Sequence, residues 1–302
     1  MPTGPMKKIS IGRADLMVPE DATVTMTGEV NEVDLKTVAL KPGETFSKLW
    51  EERLKLIDSG AGEYPGQTRI RKLYPTTGTT GQVYFETGKD PRFLVIIERW
   101  KVIGNTLIKG QEKFEPKYLA AVEQDVDSVF ANISVGGVPG SGDFVVNDAV
   151  VHFRPDGGGE STDASIHFNL PGKPGQAPVP MSLDFKTELL SSAGSITILS
   201  RLRGAYDGAD EAGVKVDILR ARKRSISGLP GEESFLHFAS KSEQAEGVRA
   251  EWGSPGVANN AFATQTEMYY SNQDMTGIHE HPDTLFALSY WDSISSSLRF
   301  RQ

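Results

Sequence analysis

The chain closes with the stretch Thr284-Leu-Phe-Ala-Leu-Ser-Tyr-Trp-Asp-Ser-Ile-Ser-Ser-Ser-Leu-Arg-Phe-Arg301, in which a helical pattern runs into a short strand. The preceding His281-Pro282-Asp283 is a helix start signal, because proline is tolerated in a first turn and an early aspartate suits the positive end of the helix dipole. One face of the predicted helix is apolar, since large side chains recur at helical spacing at Leu288, Trp291, Ile294 and Leu298. We therefore expect this helix to pack on the core.

The residues before this helix favour β-strands. Several short segments alternate apolar and polar residues, which is the pattern of strands with one buried face. Strands are predicted within Phe144–Phe153, Ser165–Leu170, Val179–Phe185, Val214–Ile218, Phe235–Phe238, Val248–Trp252 and Phe262–Tyr270. Trp252 is expected in the core. The segment Ile196–Leu202 is ambiguous and is left open to a helical interpretation.

The first part of the chain mixes strands with two helices. Phe93–Ile97 is a continuous apolar run, which indicates a central strand buried on both faces. Further strands are expected at Ile9–Val18, Val24–Val30, Leu35–Leu40 and Thr106–Ile108, and residues 63–82 are expected to be looped. Apolar spacing predicts one helix over residues 44–58. A second helix begins at Pro116, with an apolar stripe formed by Tyr118, Val122, Val126, Val129 and Phe130.

These elements predict an α+β protein with two domains, each a largely antiparallel sheet with flanking helices. The best linker candidate is Gly136-Gly-Val-Pro-Gly-Ser-Gly142, because glycine and proline interrupt regular structure. We place the boundary near residue 137. The expected domains are residues 1–137, of mixed α+β structure, and residues 138–302, a β-rich α+β domain that carries the C-terminal helix.

Composition narrows the classes of partner. The 302 residues carry a formal net charge of −8, whereas a nucleic-acid binder needs a basic face, so no nucleic acid is expected as a partner. The chain has no cysteine, which excludes disulfides and thiolate metal sites.

No signal peptide is predicted, because no apolar run follows Lys7 and Lys8. The longest apolar run, Phe93–Ile97, is too short to cross a bilayer, so no stable membrane insertion is expected.

The usual catalytic motifs are missing, so the chain is predicted to be no enzyme and to have no catalytic residue and no cofactor. Ser254 is followed directly by Pro255, which lacks the backbone N–H that a nucleophile elbow supplies, so this segment is predicted to be a turn. His279-Glu280-His281 is the one metal-like cluster, but its neighbours favour a polar loop and no metal is expected. The loop with Asp207, Asp210 and Glu211 lacks the spacing of a calcium loop.

A basic run follows at Arg220, Arg222 and Arg224, which share one face of a predicted strand. One interpretation is a contact with an anion or a partner. The other is internal salt bridging with Glu232 and Glu233 across the turn Gly228-Leu-Pro-Gly231. We favour the internal salt bridges.

Three segments together resemble the immunity proteins that protect bacteria against lipase effectors of the type VI secretion system. The first is Ile11-Gly-Arg-Ala-Asp-Leu-Met-Val-Pro-Glu-Asp-Ala-Thr-Val24. The second is Arg222-Lys-Arg-Ser-Ile-Ser-Gly-Leu-Pro-Gly-Glu-Glu233, followed by Glu251-Trp252 and Pro255-Gly256. The third is Ala287-Leu-Ser-Tyr-Trp-Asp-Ser-Ile294 with Leu298-Arg299. In addition, Phe144-Val-Val-Asn-Asp-Ala-Val-Val151 is similar to the start of the family's second domain.

The resemblance implies a two-domain clamp in the periplasm that binds one cognate phospholipase effector, in a 1:1 complex, and blocks access of its substrate. Contacts with such a partner are expected from variable loops. We therefore predict partner contacts at Asp207, Asp210 and Glu211, and at Asp274 and Glu280. The alternative is a small-ligand or lipid-binding β-rich periplasmic module without catalytic activity. A hydrolase with an unfamiliar site is the third and least favoured hypothesis.

Overall fold

The computed structural model describes residues 4–60, 68–87, 95–152, 160–171, 177–192, 194–195, 197–202, 213–240, 245–260, 263–272 and 283–301. The described chain is β-rich with few helices, and the strand pairs whose register is defined are antiparallel. It forms two compact units. The terminal unit comprises Met1–Met26 with Ser161–Gln302, and the inserted unit comprises Thr27–Glu160.

The inserted unit contains an antiparallel sheet in the order β3-β4-β8-β7-β6-β5. Its strands are β3 (Thr23–Val30), β4 (Val33–Ala39), β5 (Thr68–Leu73), β6 (Thr80–Thr87), β7 (Val95–Ile103) and β8 (Thr106–Phe114). Helix α1 (Phe46–Asp58) packs on the sheet face that carries Trp100. Helix α2 (Leu119–Ala131) packs on the opposite face, where its Phe130 contacts Gly110 of β8. A short 3₁₀ turn, Pro116–Tyr118, precedes α2. A small sheet has the order β10-β11-β9, formed by β9 (Ile133–Val135), β10 (Phe144–Val146) and β11 (Ala149–Val151).

The terminal unit contains a sheet in the order β14-β15-β16-β17-β13-β12. Its strands are β12 (Glu160–Leu170), β13 (Val179–Glu188), β14 (Val214–Lys223), β15 (Glu232–Ser240), β16 (Ala245–Ser254) and β17 (Gln265–Asn272). A three-stranded sheet has the order β1-β2-β18, formed by β1 (Met6–Ile11), β2 (Ala14–Pro19) and β18 (Arg299–Phe300). Residues 198–202 are helical (α3), and helix α4 (Thr284–Ser297) contacts β2 and β16.

Local sequence signals explain where α1 and α4 begin. The Thr45 side chain accepts a hydrogen bond from the backbone N–H of Lys48, and the Asp283 side chain accepts one from Phe286 at 3.0 Å, so both helices have an N-cap. Trp50 of α1 lies so close to β6 that a Cβ on Gly81 would sit 2.4 Å from its ring. Glycine at position 81 therefore permits this approach of helix to sheet.

Most of the predicted elements are present. The C-terminal helix and terminal strand are confirmed as α4 and β18, Trp252 is fully buried, and residues 198–202 of the ambiguous segment are helical. Val95, Ile96 and Ile97 are buried in β7, which has a neighbouring strand on each side, as a central strand requires. The predicted antiparallel sheets with flanking helices are confirmed, and the β-rich composition of the described chain is consistent with the predicted α+β class.

Four predictions about local structure are wrong. Ile9–Val18 is not one strand, because Gly12, at a φ of +53°, turns the chain between β1 and β2. Residues 68–73 and 80–82 of the predicted loop are strands, since pairing with distant strands overrides their local glycine and proline content. Within Phe144–Phe153, β10 and β11 form a hairpin about Asn147, which has a φ of +50°. Tyr118 is exposed rather than part of the buried stripe of α2.

The predicted division at residue 137 stays a prediction. The compact units have other bounds, because the inserted unit runs from Thr27 to Glu160. The predicted linker, residues 136–142, connects β9 and β10 of the same three-stranded sheet.

Candidate partner-binding surfaces

The predicted contact residues Asp207, Asp210 and Glu211, and likewise Asp274 and Glu280, lie outside the described residues. His279 and His281 lie outside them too. Within the described ranges, no group of three or more His, Asp or Glu side chains is arranged to hold a metal ion. The described residues form three other features that could be functional. They are a cluster of arginines around Glu233, a polar face of the sheet in the terminal unit and a groove beside helix α1 in the inserted unit.

The basic run of β14 forms an internal ion-pair network around Glu233, as favoured from the sequence. Glu233 is fully buried on β15. Its carboxylate accepts hydrogen bonds from Arg222 Nε at 2.8 Å and from Arg224, and Arg220 Nη1 lies 3.5 Å away. The indole N–H of Trp291 on α4 donates to the same carboxylate at 2.8 Å.

This network ties α4 to the sheet. Arg220 also forms a bidentate pair with Asp292 of α4, and Arg224 donates to the hydroxyls of Ser295 and Ser296. Burial acts to raise the pKa of Glu233, but hydrogen bonds from Arg222 and Trp291 and the charge of Arg224 outweigh it and lower the pKa. The arginines therefore neutralise a buried charge, and we assign them to the fold rather than to a partner.

The polar sheet face lies on the terminal unit, opposite the face on which Trp252 and Tyr270 are buried. Arg249 and Glu251 of β16 and Tyr269 of β17 are neighbours there, since Glu251 and Tyr269 are cross-strand partners. The Arg249 guanidinium lies 4.6 Å from the centre of the Tyr269 ring. Arg249 Nε donates to Glu251 at 2.8 Å, so the three side chains hold one another in place.

A shallow depression of about 200 Å³ adjoins these side chains. Arg201 of α3 lines it and donates to Glu251 at 3.4 Å. The strand predicted within Phe262–Tyr270 includes Tyr269, but no role was predicted for this residue, which lies between the buried Met268 and Tyr270. The alternation that predicts a buried face for this strand also places Tyr269 on the polar face. An aromatic residue on a polar sheet face is a candidate interface anchor, because tyrosine is enriched in protein interfaces.

The α1 groove lies on the inserted unit, between helix α1 and strands β8 and β4, and has a volume of about 230 Å³. Helix α1 packs over β5 and β6, and the groove lies beside the helix, on the same face of the sheet, at β8 and β4. Leu49, Glu52 and Leu56 form its helix wall. Asp34 and Lys36 of β4 with Lys109 and Gln111 of β8 form its strand wall.

The floor of the α1 groove is made by Trp100 and an ion pair. Arg53 of α1 donates to Glu98 of β7 through Nε at 2.9 Å and through Nη2 at 2.6 Å, and both side chains are largely buried. The Trp100 ring meets Trp50 edge to face, with ring centres 5.5 Å apart. The predicted strand ends at Ile97 and so does not include Glu98 and Trp100, whereas β7 continues through both to Ile103.

Residues 146–302, more than half of the chain, match the family model described as Tle cognate immunity protein 4 C-terminal domain. The chain belongs to this family of immunity proteins. Its members are non-catalytic. The matched region contains the Glu233 network and the polar sheet face. A comparison with curated protein sequences finds no match.

Three solved chains share the fold over nearly the whole length. A chain of the crystal structure of the Tle4–Tli4 complex has a TM-score of 0.77 and 15% identity, covering 98% of this chain and 97% of that one. Immunity protein TplEi of the Pseudomonas aeruginosa type VI secretion system, complexed with the "L" peptide, has a TM-score of 0.72 and 17% identity, covering 98% of each. Its apo structure has a TM-score of 0.71 and 16% identity, covering 98% of this chain and 97% of that one.

The family assignment agrees with the resemblance seen in the sequence. Immunity proteins act by binding, which directs attention to exposed surfaces rather than to a catalytic constellation. No helix within the described residues is long and apolar enough to cross a membrane.

Proposed function

We propose that this chain binds a cognate phospholipase effector of the type VI secretion system and inhibits it by covering the approach of substrate to its active site. The observation that carries the proposal is the family match over residues 146–302. The fold shared with a chain of the Tle4–Tli4 complex supports it, since that structure contains an immunity protein together with its effector.

The polar sheet face has the properties of a protein-binding surface. Tyrosine and arginine are enriched among the residues that dominate binding energy in interfaces. Tyr269 and Arg249 are stacked, and Glu251 fixes the guanidinium, so little side-chain freedom is lost on binding. We propose that this face contributes to effector binding, together with the loops that hold Asp207, Asp210, Glu211, Asp274 and Glu280.

Further parts of the proposal follow from the family. We propose a periplasmic site of action and a 1:1 complex, in which residues of both compact units contribute, as the two-domain clamp implies. An inhibitor of this kind needs a rigid surface of matching shape and charge and needs no reactive group.

The experiment that tests the function is co-purification of this chain with the lipase encoded beside it, followed by lipase activity with and without the chain. We expect a stable 1:1 complex with lipase activity lost. Two proteins that elute separately, with lipase activity unchanged, would refute the proposal and favour the small-ligand or lipid-binding module.

The contribution of the polar sheet face is tested by Tyr269→Ala. We expect the affinity for the lipase to fall by about tenfold or more, because an anchor aromatic is removed. Tyr118→Ala is the matched control, since Tyr118 is an exposed tyrosine on the other compact unit. Equal affinities of the two variants in a titration calorimetry measurement would exclude Tyr269 as an anchor.

A further inference from the structure

We propose that the α1 groove is an anchor site for the effector, and that it takes a segment which presents a large apolar side chain next to a carboxylate. The inference rests on the proposed function, because the partner is the effector named there. It extends that function by naming a second contact surface, on the inserted unit, and the chemistry that this surface recognises.

The apolar part of the site is formed by α1 and the groove floor. Leu56 is 44% exposed, and with Leu49 it faces the same cavity as Trp100. A single exposed leucine on a surface is ordinary, but here two leucines and a tryptophan line one concavity of about 230 Å³. A large apolar side chain from a partner would fill this volume and remove Leu56 from water.

The acidic part of the partner is inferred from two lysines on the strand wall. Lys36 and Lys109 are direct cross-strand partners of β4 and β8. Both lysines line the groove, so a carboxylate bound at this wall is attracted by two positive charges. Lys109 Nζ lies 4.2 Å from the centre of the Trp100 ring, so the ammonium group stands over the apolar floor. A partner whose apolar side chain packs against Trp100 would therefore contact the two lysines with a carboxylate on a neighbouring residue.

The other charges of the groove restrict where the carboxylate can bind. Asp34 pairs with Gln111 two residues along the same two strands, on the same face, and Glu52 lies on the helix wall. Both repel an anion, which leaves the Lys36–Lys109 pair as the place where a carboxylate is attracted.

The groove is preformed. The bidentate pair of Arg53 with Glu98 joins the helix wall to the floor. Phe46 stacks on Trp50 with ring centres 6.0 Å apart, and Trp50 meets Trp100, so α1 is fixed against β7. A rigid site loses little conformational entropy when it is occupied, which favours specific binding.

The first experiment uses the absence of cysteine in the chain. Single variants Leu56→Cys and Leu73→Cys are labelled with benzophenone maleimide, mixed with the lipase encoded beside this chain, and irradiated. Leu73 is the matched control, because it is 53% exposed on β5, which is separated from β4 by three strands of the same sheet. We expect Leu56→Cys to crosslink to the lipase at least about tenfold more than Leu73→Cys, at a segment with an acidic residue beside an apolar one.

The second experiment tests the charge. Lys36→Glu places an acidic residue in the strand wall, and Lys48→Glu makes the same change at an exposed position of α1 that does not line the groove. We expect Lys36→Glu to weaken lipase binding by at least about tenfold and Lys48→Glu by less than about twofold. Reversal of the crosslinked carboxylate of the lipase to lysine is expected to restore binding to Lys36→Glu. Thermal unfolding of both variants checks that they fold.

The outcomes separate this inference from the proposed function. If the unchanged chain inhibits the lipase while Leu56→Cys crosslinks no more than Leu73→Cys and Lys36→Glu binds normally, the function stands and the groove is overturned as its anchor. Crosslinking of Leu56→Cys to a second copy of this chain without lipase also overturns it. If the unchanged chain does not bind the lipase, the proposed function fails and the inference fails with it.

Discussion

Glu233 in the terminal unit and Glu112 in the inserted unit are both buried glutamates, with exposures of 0% and 4%, yet their surroundings have opposite charge. Glu233 is surrounded by Arg220, Arg222 and Arg224 and by the indole N–H of Trp291. Glu112 has an oxygen, Oε2, that is buried with no hydrogen-bond partner among the described residues.

The pKa of each carboxyl follows from these surroundings. Burial, together with the negative charges of Asp125, Glu32 and Glu29, raises the pKa of Glu112 to about 7. The pKa of Glu233 is lowered, because donors outweigh burial. Burial alone therefore does not decide whether a carboxylate stabilises a fold, because the charges and donors that surround it determine the sign of its contribution.

The largest expected effect comes from removal of the charge of Glu233. Glu233→Gln leaves three arginines around a neutral amide, and we expect the free energy of unfolding to fall by about 3–5 kcal/mol. Glu20→Gln, at an exposed position of the same unit, is expected to change it by less than about 0.5 kcal/mol. Chemical denaturation at neutral pH measures both variants. A loss below about 1 kcal/mol for Glu233→Gln would show that the network contributes little.

The next largest effect is a gain in stability when the charge of Glu112 is removed. Its folded pKa of about 7 exceeds its ordinary value of 4.5, so its contribution to stability is lost as pH rises through this interval. At pH 8 we expect Glu112→Gln to be more stable than the unchanged chain, by up to about 3 kcal/mol, and at pH 4.5 we expect little difference.

Denaturation at a series of pH values tests this sign. The exposed Glu51→Gln is the control, and its effect on the free energy of unfolding is expected to be small at every pH. Glu233 titrates in the opposite sense, because its pKa is lowered; its contribution is present above pH 4.5 and is lost as pH falls through its folded pKa. An equal effect of Glu112→Gln at pH 4.5 and pH 8 would contradict the raised pKa.

A smaller effect is expected for the indole that donates to Glu233. Trp291→Phe removes a hydrogen bond to a charged group, which contributes about 1.5–3 kcal/mol. Trp50→Phe is a matched control in the inserted unit, because Trp50 is also buried and its Nε1 has no hydrogen-bond partner among the described residues. We expect the first variant to be the less stable of the two in thermal and denaturant unfolding. The reverse order would mean that ring packing, and not the hydrogen bond, decides the cost.

The smallest effect is expected for the most exposed arginine of the network. Arg222 is about half exposed, so solvent screens its attraction to Glu233. We expect Arg222→Ala to lower the free energy of unfolding by about 1 kcal/mol or less, and Arg224→Ala to lower it more, since Arg224 is largely buried and also bonds Ser295 and Ser296. Denaturant midpoints compare the two variants. Equal losses would show that exposure does not rank these contacts.

The same contrast explains which parts of the candidate sites were predictable. The pairing of the β14 arginines with Glu233 was predicted because the two strands are joined by a short turn, so their register follows from local sequence. Glu112 and Asp125 are also near in the sequence, but Glu112 meets Glu29 and Glu32 only through the pairing of β8 with β4. The α1 groove was missed for this reason, since its walls combine β4, α1, β7 and β8.

Elements with a local signal were predictable from the amino-acid sequence. Alternation placed Val248, Ala250 and Trp252 in the core, apolar spacing and the Asp283 cap defined α4, and three segments carried the family resemblance. Tertiary structure alone decided that residues 68–73 form a strand, that Leu56 borders a cavity and that Lys36 stands opposite Lys109. The physical reason is that capping and periodicity act within a few residues, whereas burial and charge pairing depend on neighbours that distant strands supply.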